Sequence, residues 1–113
     1  MRDPQDPLVL TVTTTVGSLD AARSLARQIL AEGLAACVQI DPAVTSLYRW
    51  GGELREEPEV RMVIKTLPAC EAALIELFAR HHPYELPQFL SAGMHPSAAY
   101  GEWVRAEVGA PRG

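Results

Sequence analysis

A single lysine, two cysteines and no apolar run of membrane-spanning length set the first limits on this sequence of 113 residues. Lys65 is that lysine, so the cations are almost all arginine, and they are scattered rather than clustered. With a formal net charge of −4, the chain lacks the basic stripe that phosphate-backbone binding requires. It also lacks a polybasic segment for an anionic bilayer. These absences exclude nucleic-acid and membrane-surface partners. No stretch is apolar enough to span a membrane, and the polar, proline-rich opening MRDPQDP has no signal-peptide core. A cytoplasmic location is expected. Cys37 and Cys70 lie far apart within apolar segments, and in a reducing compartment they read as small core residues rather than a disulfide.

The recognisable catalytic signatures are missing too. There is no GxxxxGK[ST] phosphate loop, GxGxxG, CxxC, HExxH or GxSxG elbow. No nucleophile, base and orienter are visibly arranged, so the expectation is a protein that is not an enzyme.

What is present is enough for one domain. Apolar residues make up 48% of the chain and charged residues 21%. Residues 1–7 read as a disordered tail, 8–108 as the folded domain and 109–113 as a flexible end. Leu8 to Thr14 is rich in β-branched residues and predicts a strand. Ser18 then caps a helix whose apolar stripe is Ala22, Leu25, Ala26, Ile29 and Leu30, with Gly33 as its stop. Ala35 to Ile40 is nearly all apolar and predicts a central strand, broken by Asp41-Pro42. Val44 to Trp50 is a further strand, turned by Gly51-Gly52 into a charged arm, Glu53 to Glu57. Val60 to Lys65 alternates as a strand paired back on it. Pro68 opens a second helix that has to stop before Pro83. Leu86 to Ala92 reads as an edge strand, and Ser97 caps a closing helix carrying Tyr100, Trp103 and Val104.

The order is β-α-β-β-α-β plus a final helix. This is an α+β, ferredoxin-like arrangement of one antiparallel sheet with two helices on one face. The second face and the apolar Tyr48/Trp50 hairpin would then be uncovered, a hazard that a homo-oligomer removes.

The densest chemistry is His81-His82-Pro83-Tyr84-Glu85. His81 continues the helix's apolar stripe, while His82 should be rotated away and more exposed. Two readings stay open: a divalent-metal site using imidazole ligands, or a helix C-terminus stabilised by imidazolium and cut by proline. Adjacent helical histidines do not converge readily on one ion, which favours the second. Trp50 beside its glycine turn fits a stacking platform or an oligomer anchor, and interface packing is favoured. Lys65 fits an anion contact or a side chain snorkelling at the sheet rim. The acidic residues Glu53, Glu56, Glu57 and Glu59 read as a solvated arm.

Taken together, LAEGLAACVQI (30–40), VTSLYRWGGEL (44–54), VIKT (63–66), HHPYELP (81–87) and AYGEWV (99–104) resemble the CutA divalent-ion-tolerance family from about Leu8 to Val108. The resemblance implies a ferredoxin-like fold similar to the PII signalling proteins. It also implies a homotrimer whose hairpins reach into neighbouring subunits, and a link to tolerance of divalent metals, copper especially. Clefts between subunits would gather Trp50, Lys65, His81, Tyr84 and Glu85. No cofactor is required, and Cu(II) or another divalent cation is the candidate ligand, with His81 and His82 as its contacts. A protein partner is not identified. The alternative implied function is a PII-like module that binds a small anion and then a partner. One departure stands out. The family's copper proposal uses a first-strand Cys, the first His of HHPY and a Glu after the next Pro. Here those places hold about Val12, His81 and Gln88.

Overall fold

A computed structural model describes residues 8–109. The expected tails at 1–7 and 110–113 lie outside the described residues. The order is β1 (Val9–Val16), α1 (Leu19–Ala31), β2 (Cys37–Trp50), β3 (Glu53–Thr66), a 3₁₀ turn at Pro68–Cys70, α2 (Glu71–His81), β4 (Leu90–Met94) and α3 (Ala98–Glu107). This is the βαββαβ order with a closing helix. All pairings are antiparallel, and the sheet order is β2-β3-β1-β4. Among the described residues no helix is long and apolar enough to cross a membrane.

The core lies between one sheet face and two helices. Leu10, Val12 and Val16 of β1 and Val60, Met62 and Ile64 of β3 alternate toward Leu25 and Ile29 of α1 and Leu74, Leu77 and Phe78 of α2. The α1 stripe is buried as its spacing predicts, apart from a half-buried Leu30. The Ala21 N–H donates to Ser18 Oγ at 3.1 Å, and Gly33 follows the last turn at φ 69°. Ser97 caps α3 in the same way through the Tyr100 N–H. Val9 alternates away from Leu10 yet is buried, and Val104 of α3, which packs near β3, is also buried. Neither belongs to the main core, so α3 shields one end of the second sheet face. The Gly109 N–H donates to the Gly33 carbonyl at 2.7 Å.

Five local expectations are corrected. The apolar run from Ala35 to Ile40 belongs to an edge strand, not a central one. Val38 and Ile40 pack on the core, but Gln39 is exposed and, among the described residues, β2 pairs only with β3. Asp41-Pro42 does not break β2. It forms a bulge between Asp41 and Val44, where an edge strand tolerates the missing N–H. The charged arm is itself strand: β2 and β3 are each continuous over 14 residues, closed by Gly51 at φ 61° and Gly52 at φ 82°. The last strand lies at Leu90–Met94, where it pairs with Val9 to Thr13, rather than at Leu86–Ala92. Finally, both cysteines are free and half-buried rather than core residues.

These corrections create the feature that matters. Pairing of β1 with β3 ends at Val16 opposite Val60. The β2–β3 hairpin runs on for residues 44–59, past the end of the sheet.

Candidate functional site

The turn after α2 fills the space beside that overhang, and its shape follows from Pro83. A residue before proline is driven out of the α region. His82 accordingly caps α2 at φ −69°, ψ 134°. Its side chain therefore leaves helical register and folds under the sheet's end, where it is 9% exposed. The expectation of an exposed His82 and a buried His81 is thus reversed: His81, still helical, is the exposed one. The imidazole packs 5.2 Å from the Phe78 ring and 5.3 Å from Tyr84.

His82 is fully engaged. Its Nδ1 accepts the Tyr84 backbone N–H at 3.1 Å, so the proton of the neutral ring sits on Nε2, 2.9 Å from Thr14 Oγ1. Burial holds His82 below the ordinary histidine pKa, with partial opposition from a bond to the Thr15 backbone. It is a neutral structural clamp on the turn, with no ring nitrogen left for a metal.

The clamp places Tyr84 over the hairpin. Its hydroxyl donates to Glu59 Oε2 at 2.7 Å. Burial, then the bond to Glu59 and the charge of Glu59, push this phenol far above its ordinary pKa, so it stays a donor. Glu59 is half-buried. Desolvation alone would raise its pKa, but hydroxyls of Ser46, Tyr84 and Thr15 hold the carboxylate below the ordinary range. Two residues before Glu59 on β3, Glu57 accepts from the Tyr48 hydroxyl of β2 in the same manner, and that bond pushes the Tyr48 phenol up.

Together these residues line an open groove of about 750 Å³ between the hairpin and the turn. Trp50, Tyr84 and Glu85, all expected from the sequence, meet there with Tyr48, Glu57 and Glu59. Lys65 does not. It sits opposite Thr11 and Cys37, six residues beyond Glu59 and about 20 Å away along the strand. His81 does not line the groove either. It lies beside Arg80, with Nε2 3.5 Å from Nη1. Sequence reading missed Glu59 by counting it with the solvated arm. The usable signal was its place directly before Val60, where the buried alternation begins.

The residues of one chain do not fit the copper design. Val12 is buried in the core, His81 and Gln88 are exposed, and the first-strand side chain that meets the histidine pair is Thr14. Among the described residues, no three His, Cys, Asp or Glu side chains come together as a metal would need.

Comparison with known proteins follows the same fold. The family model for the CutA1 divalent ion tolerance protein matches residues 10–107. A divalent-cation tolerance protein CutA of Citrobacter koseri is 38% identical over 108 residues, 95% of this chain and 94% of the relative. The Cut A1 structure from Thermus thermophilus superposes at TM-score 0.85 with 35% identity, covering 89% of this chain and 99% of that one. The CutA structure from Synechococcus elongatus gives 0.86 and 35%, covering 90% and 91%.

Proposed function

We propose a function from one premise: the chain belongs to the CutA1 divalent ion tolerance protein family. The protein works as a cytoplasmic homotrimer in the response to divalent metal ions, copper among them, and catalyses no reaction. The overhanging hairpin carries this reading. Leu47, Tyr48, Trp50 and Leu54 are 61%, 37%, 47% and 66% exposed on a two-stranded ribbon that, among the described residues, has no sheet or helix behind it. A bare ribbon of that composition is only marginally stable and prone to association. Seating it on neighbouring copies, under closed three-fold symmetry, covers it. The edge strands β2 and β4 are freed for the same use.

Any metal contact then falls between copies, since the described residues of one chain do not assemble a ligand set. His81 is the exposed imidazole that a second subunit could complete. The PII-like alternative, a small-anion site, finds less support, because the groove is acidic and Lys65 stands apart from it.

The test is solution mass and metal content on one purified sample, followed by Cu(II) and Zn(II) titration calorimetry. The expected results are a mass near three times 12.3 kDa and a Cu(II) affinity at least about tenfold weaker in His81→Ala. A monomer would overturn the assembly, and superimposable isotherms would overturn the His81 contact.

A further inference from the structure

We infer that Glu59 is a latch that sets the direction in which the β2–β3 hairpin leaves the sheet, and that assembly is governed through it. The consequence for assembly rests on the homotrimer reading above; the latch itself does not. Three observations carry this. First, the ladder alone does not fix the direction. The overhang is a two-stranded ribbon, and twist is largest and most variable in such ribbons. The bulge between Asp41 and Val44 bends β2 at the level of Glu59, whose ladder partner is Val44. Second, Glu59 is where four pieces of backbone meet. It stands on β3 directly before Val60, the first β3 residue paired with β1. Its carboxylate collects hydroxyls from Thr15 of β1, Ser46 of β2 and Tyr84 of the turn after α2. Third, the bonds farther out stay within the ribbon. Tyr48 bonds Glu57, and Arg55 turns to Glu53 at 3.9 Å. Those bonds stiffen the ribbon without aiming it, whereas Thr15 and Tyr84 tie Glu59 to the body of the domain.

The anchor itself is held from behind. His82 accepts the Tyr84 N–H at 3.1 Å, and its other ring nitrogen lies 2.9 Å from Thr14, the neighbour of Thr15. An ionised carboxylate only accepts, so all three hydroxyls have to point at Glu59. A hairpin aimed in one direction is preorganised for its seat on the next copy, and a loosened one has to be ordered as it binds. Three-fold closure repeats that cost at every interface. A loss of about threefold in the aligned population of each hairpin therefore enters three times and raises the trimer dissociation constant about 27-fold.

Hairpin direction is read in the full-length chain with spin labels at two exposed positions, Glu56→Cys on the overhang and Arg23→Cys on α1. The background carries Cys37→Ala and Cys70→Ala, with Leu54→Ser added so that no neighbour holds the hairpin. The label-to-label distance distribution should be narrow with the latch intact. It should widen in Tyr84→Phe and in Glu59→Gln, whose amide nitrogen cannot accept a hydroxyl. Ile29→Val, a core truncation of comparable cost to stability, should leave it narrow. In the unlabelled chain, Tyr84→Phe should raise the trimer dissociation constant at least about tenfold in sedimentation equilibrium. Unchanged width in both latch variants would overturn the proposal even if assembly weakened, because Tyr84 would then act by touching the neighbouring copy. Equal widening in Ile29→Val would overturn it as general loosening of the fold. Wider distances with an unchanged dissociation constant would overturn the control of assembly. A wild-type chain that sediments as a monomer would overturn the assembly reading, and the distances would still decide the latch.

Discussion

Strand β3 crosses from one environment to another at Val60. From Val60 to Thr66 every second side chain is buried against α1 and α2, and β1 pairs along the other edge. From Glu53 to Pro58 the same strand is exposed throughout, with β2 as its one neighbour. The backbone pairing is equally regular in both halves. The difference lies in what stands behind the strand, and it separates stability from recognition. The covered half obtains its free energy from apolar burial, about 25 cal/mol for each Å² removed from water. The bare half holds itself together through the Gly51-Gly52 turn and cross-strand pairs, and it keeps its aromatic and acidic side chains available. The His82 turn joins the two, packing on Phe78 of the covered half while presenting Tyr84 to the other.

The largest expected effect breaks the comparison at its strong end. Leu77 is fully buried in the main core. Leu77→Ala should cost about 2–5 kcal/mol in denaturant unfolding, the sum of lost transfer and a residual cavity. Leu54→Ser on the overhang should cost the chain's own fold under about 0.5 kcal/mol. It should instead move the sedimentation profile toward smaller species. A Leu54→Ser loss as large as that of Leu77→Ala would show that the overhang is part of the folding core.

The joint between the halves comes next. His82→Ala leaves Thr14 Oγ1 and the Tyr84 N–H without their partner in a buried place, and should cost about 1–3 kcal/mol. The wild-type pH profile gives an independent reading. Burial lowers the folded-state pKa of His82 below its unfolded value near 6.5. The unfolded chain therefore binds the proton first. Stability contributed by the neutral ring is complete above that value and declines as pH falls toward the folded pKa. Loss of stability on lowering pH from 7 to 5 should be visibly smaller in His82→Gln. An unchanged slope would remove His82 from the clamp.

The covered half was the more legible in sequence, for a physical reason. Ala22, Leu25, Ala26 and Ile29 repeat at helical spacing, and Ser18 and Gly33 mark the ends by local chemistry, so α1 needs no distant information. The alternation from Val60 to Ile64 is likewise local. Four features depend on pairing or packing that no short window contains. The edge position of β2 depends on β1 lying between β3 and β4. The place of β4 is set by its register with Val9 to Thr13, and the exposed residues Leu90 to Met94 carry no alternation of their own. Pro42 reads as a breaker until one knows that its strand is an edge. His82 was misplaced because helical rotation was extended to a residue that Pro83 removes from the helix. Of the site, Trp50, Tyr84 and Glu85 were visible as residue types, whereas Glu59 was not, because a carboxylate's partners are known only when the turn is folded over it.

The smallest effect tests the finest contact between the halves. Tyr84→Phe keeps the ring against His82 and removes the hydroxyl that bonds Glu59 at 2.7 Å. A partly exposed hydrogen bond to a charged acceptor makes a modest net contribution, so the loss should be about 0.5–1.5 kcal/mol at neutral pH. Its pH dependence carries more information than its size. The folded-state pKa of Glu59 lies below its unfolded value, so the folded carboxylate gives up its proton first as pH rises. The stability it contributes is present above the ordinary carboxylate range and disappears as pH falls through the folded pKa. Losing one of three donors should raise the folded pKa of Glu59 toward the unfolded one. The penalty of Tyr84→Phe should then shrink as the solution is acidified from pH 7 toward pH 3, following the carboxyl resonance of Glu59 in a proton-detected titration. A penalty that stays constant across that range would assign the hydroxyl's contribution to packing, and the two halves of β3 would be joined through His82 alone.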